Sequence, residues 1–337
     1  MLLHSLKFDI HSSSIELGDC ASDLYRTNDL TETFPDFKRT LSLRLELADG
    51  SAAREMTPIT RETGTFSEIS LLGGMCWYAD GRFYSAGNGE FCAECEFIPG
   101  EGLLRAHLAG RYREAAPDAL VGLVMKQIMQ SFVLPFFGLK FMHGAVVVRD
   151  GLTIMLTGAG GAGKSTTALR LLTDGYTLLS DDGPLFTYCD GAAWALSSLD
   201  LPQVTPKTIE ILPLLRDAIA GEPDHRGKHR IRLDDLQPDE SWRVPHRVTH
   251  MIRLNRTRCH TPRLVEQDRS AITRELMNEA MTVFRSPVFA DEVFKLHSRF
   301  SFDVITSLMQ DIEVLRLDFD DDHLDRIPSL LDGLEHA

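Results

Sequence analysis

Long apolar runs are missing from this sequence: no stretch of about eighteen consecutive apolar residues occurs, which argues against a plain membrane-spanning helix. The nearest approach, ALVGLVMKQIMQSFVLPFFGLKF (119–141), is broken by Lys126, Gln127, Gln130 and Ser131 and reads as a buried helix. The opening MLLHSLKFDIHSSSIELGD has no basic segment leading into an apolar core and a small-residue cleavage site, so a secretory signal is not expected. Cationic charge is scarce as well. Against 49 Asp and Glu stand 35 Lys and Arg, a net charge of -14 that repels nucleic acid and anionic lipid at long range. Together these absences predict a cytoplasmic protein with neither nucleic acid nor a membrane as partner; self-association is left open.

Cysteine is sparse too. Six residues (Cys20, Cys76, Cys92, Cys95, Cys189 and Cys259) are scattered without the density of a disulfide scaffold. FCAEC has the spacing of half a zinc site, but no second Cys-x-x-C completes four ligands, and the run EFCAECEFI alternates like a strand.

What is present is enough apolar content, 43% of 337 residues, to bury a sizeable core, and a length that suits two domains. Up to about residue 110, period-two runs such as TLSLRLELADG, RFYSAGNG and GLLRAHLAG alternate with glycine turns, predicting a β-rich domain over 1–115. The polar stretch RYREAAPDA (111–119) marks a boundary, and Asp118 can cap a helix running to about Phe137. From 116 to 337 the order becomes α/β. Strands are expected at 141–148, 153–158, 176–182, 247–255 and 314–319. Helices are expected near 164–173, 206–220, 268–284, 288–310 and 322–335. The charge-rich connection GEPDHRGKHRIRLDDLQPDES (221–241) reads as a mobile functional loop or lid.

The chemistry concentrates in GAGGAGKSTTALRLL. Gly158, Gly163, Lys164 and Ser165 satisfy G-x-x-x-x-G-K-[ST], with an apolar strand before and a helical pattern after. Such a loop, Gly158, Ala159, Gly160, Gly161, Ala162, Gly163, Lys164, Ser165 and Thr166, wraps backbone amides around phosphate oxygens at a helix amino end. Lys164 would sit on the outer phosphates and Ser165 would ligate Mg²⁺. Asp181 and Asp182 close the next apolar strand. A parallel crossover returns that strand to the edge from which the loop projects, where one carboxylate can serve a metal and the other accept a hydroxyl proton. VLRLDFDD imitates the metal-binding strand of other phosphate-loop proteins around Asp318, but Asp181 and Asp182 explain a metal site better. Basic runs occur in HRGKHRIR (225–232) and RLNRTRCHTPR (253–263); a cation closing over a transferring phosphoryl group and plain surface exposure are both open for them.

The stretch HGAVVVRDGLTIMLTGAGGAGKSTTALRLLTDGYTLLSDD (143–182) resembles the kinase domain of the HPr kinase/phosphorylase superfamily. Its His-Gly strand, phosphate loop, helix and Asp-Asp pair follow in the same order and spacing. The resemblance implies the phosphate-loop core shared with phosphoenolpyruvate carboxykinases, ATP and Mg²⁺ as cofactors, and phosphorylation of a protein serine. It implies Asp181 as catalytic base, Asp182 beside it in the site, and His143 as the active-site histidine. Two departures stand out. Thr166 occupies the place of a usual Glu, and no match follows Asp182 for the glycine-rich region tied to phosphorolysis, so a kinase without phosphorylase activity is expected. The divergent front domain looks more like the kinases found beside peptide-biosynthesis genes, which makes a peptide or small-protein serine the leading acceptor. Competing expectations are a small-molecule kinase, a phosphoenolpyruvate carboxykinase-like enzyme and a non-catalytic nucleotide-gated binding module.

Overall fold

The computed structural model describes the backbone of seven strands between residues 8 and 110. It then describes residues 134, 138–189, 191–197, 201–223, 227–233, 236–237, 241–282 and 292–336. The chain forms two compact units, one of Met1–Lys140 with Met277–Phe302, the other of Phe141–Leu276 with Asp303–Ala337.

In the first unit, β1 (Phe8–Ser12), β2 (Leu41–Leu47), β3 (Ser67–Leu71), β4 (Gly74–Ala79), β5 (Arg82–Ala86), β6 (Phe91–Ile98) and β7 (Leu103–Gly110) build one sheet. Its order is β1-β2-β7-β6-β5-β4-β3. From β3 to β7 consecutive strands pair antiparallel, whereas β1 and β2 join by parallel pairings. FCAEC lies inside β6, as the alternation predicts. The helix expected over 118–137 lies outside the described residues except for residue 134.

A short strand, β8 (Lys140–Phe141), leads into the second unit. There β9 (Ala145–Arg149) and β10 (Leu152–Thr157) form a hairpin closed by Asp150 and Gly151, both at positive φ (49° and 84°), as a two-residue Asp-Gly turn requires. Every residue of β10 is buried, the pattern of a strand covered on both faces. After the glycine loop comes α1 (Lys164–Leu172), whose Ala168, Leu169, Leu171 and Leu172 enter a core with Val147, Ile154, Leu156 and Leu178. The chain returns as β11 (Thr177–Ser180), makes the hairpin β12 (Leu185–Cys189) and β13 (Ala192–Leu196), and runs through β14 (Gln203–Val204), α2 (Pro206–Ile211), β15 (Ile219–Ala220) and β16 (His229–Ile231). Then follow β17 (His246–Arg247), β18 (His250–Arg256), β19 (Arg263–Glu266), α3 (Arg269–Thr282), α4 (Glu292–Asp311), β20 (Glu313–Phe319) and α5 (Ile327–Leu331).

The main sheet has the order β11-β9-β10-β18-β20-β19, with β10, β18 and β20 mutually parallel. The expected crossover skips one strand. β11 pairs with β9, not with β10, and the pairing is antiparallel. Because β9 is itself antiparallel to β10, β11 still runs in the direction of β10, and its carboxyl end lies on the loop's edge. The same geometry brings the amino end of β9 to that edge.

Other expectations shift for local reasons. The helix expected over 206–220 breaks at Leu212, which leaves helical geometry (φ -122°, ψ 75°) before Pro213, and resumes as a 3-10 turn, because proline disfavours a helical residue before it. The closing helix is likewise 3-10, then α, then 3-10. Within the supposed lid, β16 pairs antiparallel with β14 and β15. The carboxamide of Gln237 accepts from the Leu178 amide at 2.8 Å and donates to the Leu178 carbonyl at 3.2 Å. Residues 229–231 of that connection are therefore fastened to β14 and β15, and Gln237 to β11. Among the described residues no helix is long and apolar enough to cross a membrane.

Candidate functional site

The glycine loop owes its path to three residues. Gly158 (φ 143°), Gly161 (φ 79°) and Gly163 (φ 94°) adopt backbone that side-chain-bearing residues rarely reach. At Gly158 space is short as well: a Cβ there would stand 3.0 Å from the Leu254 carbonyl oxygen and 3.1 Å from the Ala162 Cβ. Under Gly163 lies the ring of Phe319, so the loop rests on the carboxyl ends of β18 and β20. Ala159, Gly160 and Gly161 are exposed at the crest, and Ala162 is half-buried. Gly163 starts α1 in left-handed conformation, and no side chain among the described residues caps it, so the first amides of the helix face the loop.

Lys164 is buried, and its ammonium donates to the carbonyls of Gly158 at 2.8 Å and Ala159 at 3.4 Å. Its side chain thus folds back across the loop. Ser165 turns the other way, its hydroxyl donating to the Asp181 carbonyl at 3.4 Å. That contact ties α1 to the end of β11. Thr166 points its hydroxyl at Thr208 of α2, 3.4 Å away.

Between Leu178 and Ser180 the pairing of β11 with β9 slips, a bulge that bends the strand just before the two aspartates. The aspartates then differ sharply. Asp181 is 4% exposed and its Oδ2 accepts the Gln203 amide at 3.3 Å, whereas Asp182 is exposed. His143, just before β9, places Nδ1 3.0 Å from Asp182 Oδ1, and both side chains reach solvent. The turn is set further by Ser180 Oγ, which accepts the Gly183 amide at 2.9 Å. Gly144 has its own reason: a Cβ there would stand 2.9 Å from the Leu156 carbonyl oxygen. The His-Gly pair therefore couples a side chain at the edge to a backbone close approach that only glycine allows.

Of the expected site residues, then, Ser165, Asp181, Asp182 and His143 converge at the loop's edge, and Lys164 lies across the loop. Sequence reasoning missed Gln203, whose backbone holds Asp181, and Thr208. Neither belongs to a motif, and Gln203 reaches Asp181 from the start of β14, a separate strand. In the basic runs, Arg253 pairs with Glu275 at 3.0 Å, Arg256 with Asp321, and Arg263 with Asp318 at 3.1 Å. Arg226 lies outside the described residues. On β16, beside the strand that reaches Asp181, Arg230 faces Gln203 in register.

Asp318, the imitator, is buried on β20 and accepts from Asn255 at 2.6 Å, Arg316 at 2.8 Å and Arg263. Burial works to raise its pKa, but these donors outweigh it and hold the carboxyl below the usual carboxylate range. Next to it, Asp320 accepts from His323 Nδ1 and, at 3.4 Å, from the Cys259 amide. Desolvation pushes the Asp320 carboxyl up; the His323 ring and the Cys259 and Asp322 amides bring it below its ordinary value.

No family model matches the chain. Among curated proteins, the chain is 36% identical over 70 residues to the HPr kinase/phosphorylase of Clostridium botulinum (strain Eklund 17B / Type B), covering 21% of this chain and 22% of that protein. It is 32% identical over 85 residues to the HPr kinase/phosphorylase of Mycoplasmopsis pulmonis, covering 25% and 26%. The chain thus matches about a quarter or less of the length of these relatives. A solved structure, the Hpr(Ser) kinase/phosphatase from Coxiella burnetii, aligns over 58% of this chain and 91% of its own at 14% identity, with a TM-score of 0.31. The curated matches support an HPr kinase/phosphorylase-like family for this chain.

Proposed function

We propose that the chain is an ATP- and Mg²⁺-dependent kinase that transfers the γ-phosphate to a hydroxyl, foremost a serine of a peptide or small protein. It would act in the cytoplasm, with residues 116–337 as the kinase domain behind a β-rich domain at 1–115. The observation that carries the reading is the meeting of Ser165, Asp181, Asp182 and His143 at the mouth of a glycine loop. The curated relatives, named as kinases and phosphorylases, support phosphoryl transfer as its class.

Backbone amides from Gly158 to Thr166 and the amino end of α1 would cradle the phosphates, with Lys164 leaving its carbonyl partners for the outer ones. The donors near the loop mouth, the Ser165 hydroxyl and the Asp182 carboxylate, are hard oxygens and fit Mg²⁺. When bound, that ion would neutralise charge on the phosphates. Asp181, fixed by the Gln203 amide, would take the acceptor hydroxyl's proton, and His143 would orient Asp182. A second reading exchanges the carboxylates, because Asp182 is exposed and within reach of an acceptor while Asp181 is buried.

The test follows label from γ-labelled ATP with Mg²⁺ into serine peptides, small proteins and a metabolite pool. Transfer lost in Asp181→Asn, with nucleotide affinity kept, supports the first assignment. Transfer surviving in Asp181→Asn but lost in Asp182→Asn supports the exchange. Binding without transfer to any acceptor would leave a nucleotide-gated binding module.

A further inference from the structure

Away from the phosphate loop's mouth, the parallel pairing of β18 and β20 brings two chain segments together just past their carboxyl ends. The Thr257 amide donates to the Phe319 carbonyl at 2.8 Å, which seals the two exits side by side. From the β18 exit comes Cys259; from the β20 exit come Asp320, which precedes the 3-10 turn Asp321–Arg326, and His323 within it. Their sulfur, carboxylate and imidazole donor atoms all lie within 4.8 Å of one another, and all three residues are half-buried. Among the described residues this is the one such grouping of three donors.

The composition of the cluster sets its preference. A thiolate, an imidazole and a carboxylate suit a borderline-soft divalent ion that accepts four ligands, while Mg²⁺, which takes hard oxygens, is disfavoured by the sulfur. We propose that Cys259, Asp320 and His323 form a binding site for a zinc-class divalent cation, with a fourth position open to water. The ion takes the place of the hydrogen bond between His323 and Asp320. The Cys259 thiol releases its proton to solvent on binding, and the imidazole coordinates through an unprotonated Nδ1, so affinity falls on acidification. The held segment begins one residue after Phe319, whose ring lies under Gly163, so the ion clasps the floor of the glycine loop. The site stands independently of the kinase reading.

Co²⁺ serves as the probe. The full-length, metal-stripped protein is titrated with Co²⁺ in a large excess of Mg²⁺, which saturates any hard-oxygen site, and followed by absorption. The expected result is one equivalent bound with a thiolate-to-cobalt charge-transfer band, displaced by Zn²⁺. Cys259→Ser should lose the band. His323→Gln, which keeps the thiolate, should shift the titration to at least about tenfold higher Co²⁺. A doubly substituted Cys92→Ser, Cys95→Ser chain should titrate as the parent does. Thermal unfolding without metal establishes that each variant is folded, and Zn²⁺ should raise the midpoint of the parent but not of Cys259→Ser. A band that persists in Cys259→Ser, vanishes only in the Cys92/Cys95 variant, or never forms in the parent overturns the proposal.

Discussion

Two strands of the main sheet, β11 and β20, carry aspartate to the same edge, and the two arrangements have opposite characters. On β20, Asp318 is buried and surrounded by Asn255, Arg263 and Arg316. At the end of β11, Asp181 receives the backbone amide of Gln203 and Asp182 stands in solvent beside a histidine. A carboxylate already engaged by two guanidinium groups is stabilised as an anion and poorly placed to take a proton or a metal. Position at the carboxyl end of a strand therefore does not set what an aspartate can do; the company it keeps does.

Neutralising each aspartate in turn should separate the two roles. Asp181→Asn should lower phosphoryl transfer by about 10²–10⁴-fold, the usual contribution of a general base, with the melting temperature nearly unchanged because asparagine still accepts the Gln203 amide. Asp318→Ala should do the reverse. It strips charged hydrogen bonds from Arg316 and Arg263 and should cost about 2–3 kcal/mol in denaturant unfolding, with nucleotide affinity little altered.

Acid offers the same contrast without mutation. The Asp318 carboxyl is held below its unfolded value, so its stabilisation is fully present above about pH 3.9 and is lost as pH falls through the lower folded value. Denaturant midpoints measured from pH 5 downward (roughly the range where carboxylates begin to protonate) should fall less steeply in Asp318→Ala than in the parent.

Next in size is Gly144→Ala. A methyl group 2.9 Å from the Leu156 carbonyl must push β9 from β10, costing about 1–3 kcal/mol and moving His143 from Asp182. Calorimetry reads the first effect, and a drop in transfer beyond that in nucleotide affinity reads the second. Smallest is Arg256→Ala. Its pairing with Asp321 is more than a third exposed on both sides, so its loss should change stability by no more than about 0.5 kcal/mol.

Much of the site was legible because its signals are local. The glycine spacing, the Lys-Ser pair and the helix that follows obey short-range backbone rules, and Asp150-Gly151 announces its hairpin. The insertion of β9 between β10 and β11 was not legible. Strand alternation reports which residues are buried, not which strand lies beside which. The His-Gly strand nevertheless carried the clue, since Gly144 is required by the close approach to Leu156. Within the charged connection at 221–241, β16 was not legible, because polarity marks exposure and says nothing about pairing, and β16 forms by bonding to β14 and β15. Asp318 looked like a metal-binding aspartate from its strand alone; the two arginines that hold its carboxylate come from β19 and β20, a pairing that strand alternation does not report.

The carboxamide of Gln237 has a consequence for how the molecule meets others of its kind. β11 ends the main sheet, and an open strand end-row of amides and carbonyls is a template on which another chain can pair and begin to aggregate. Gln237 occupies both polar groups of Leu178, so one side chain blunts the row where a further strand would otherwise attach.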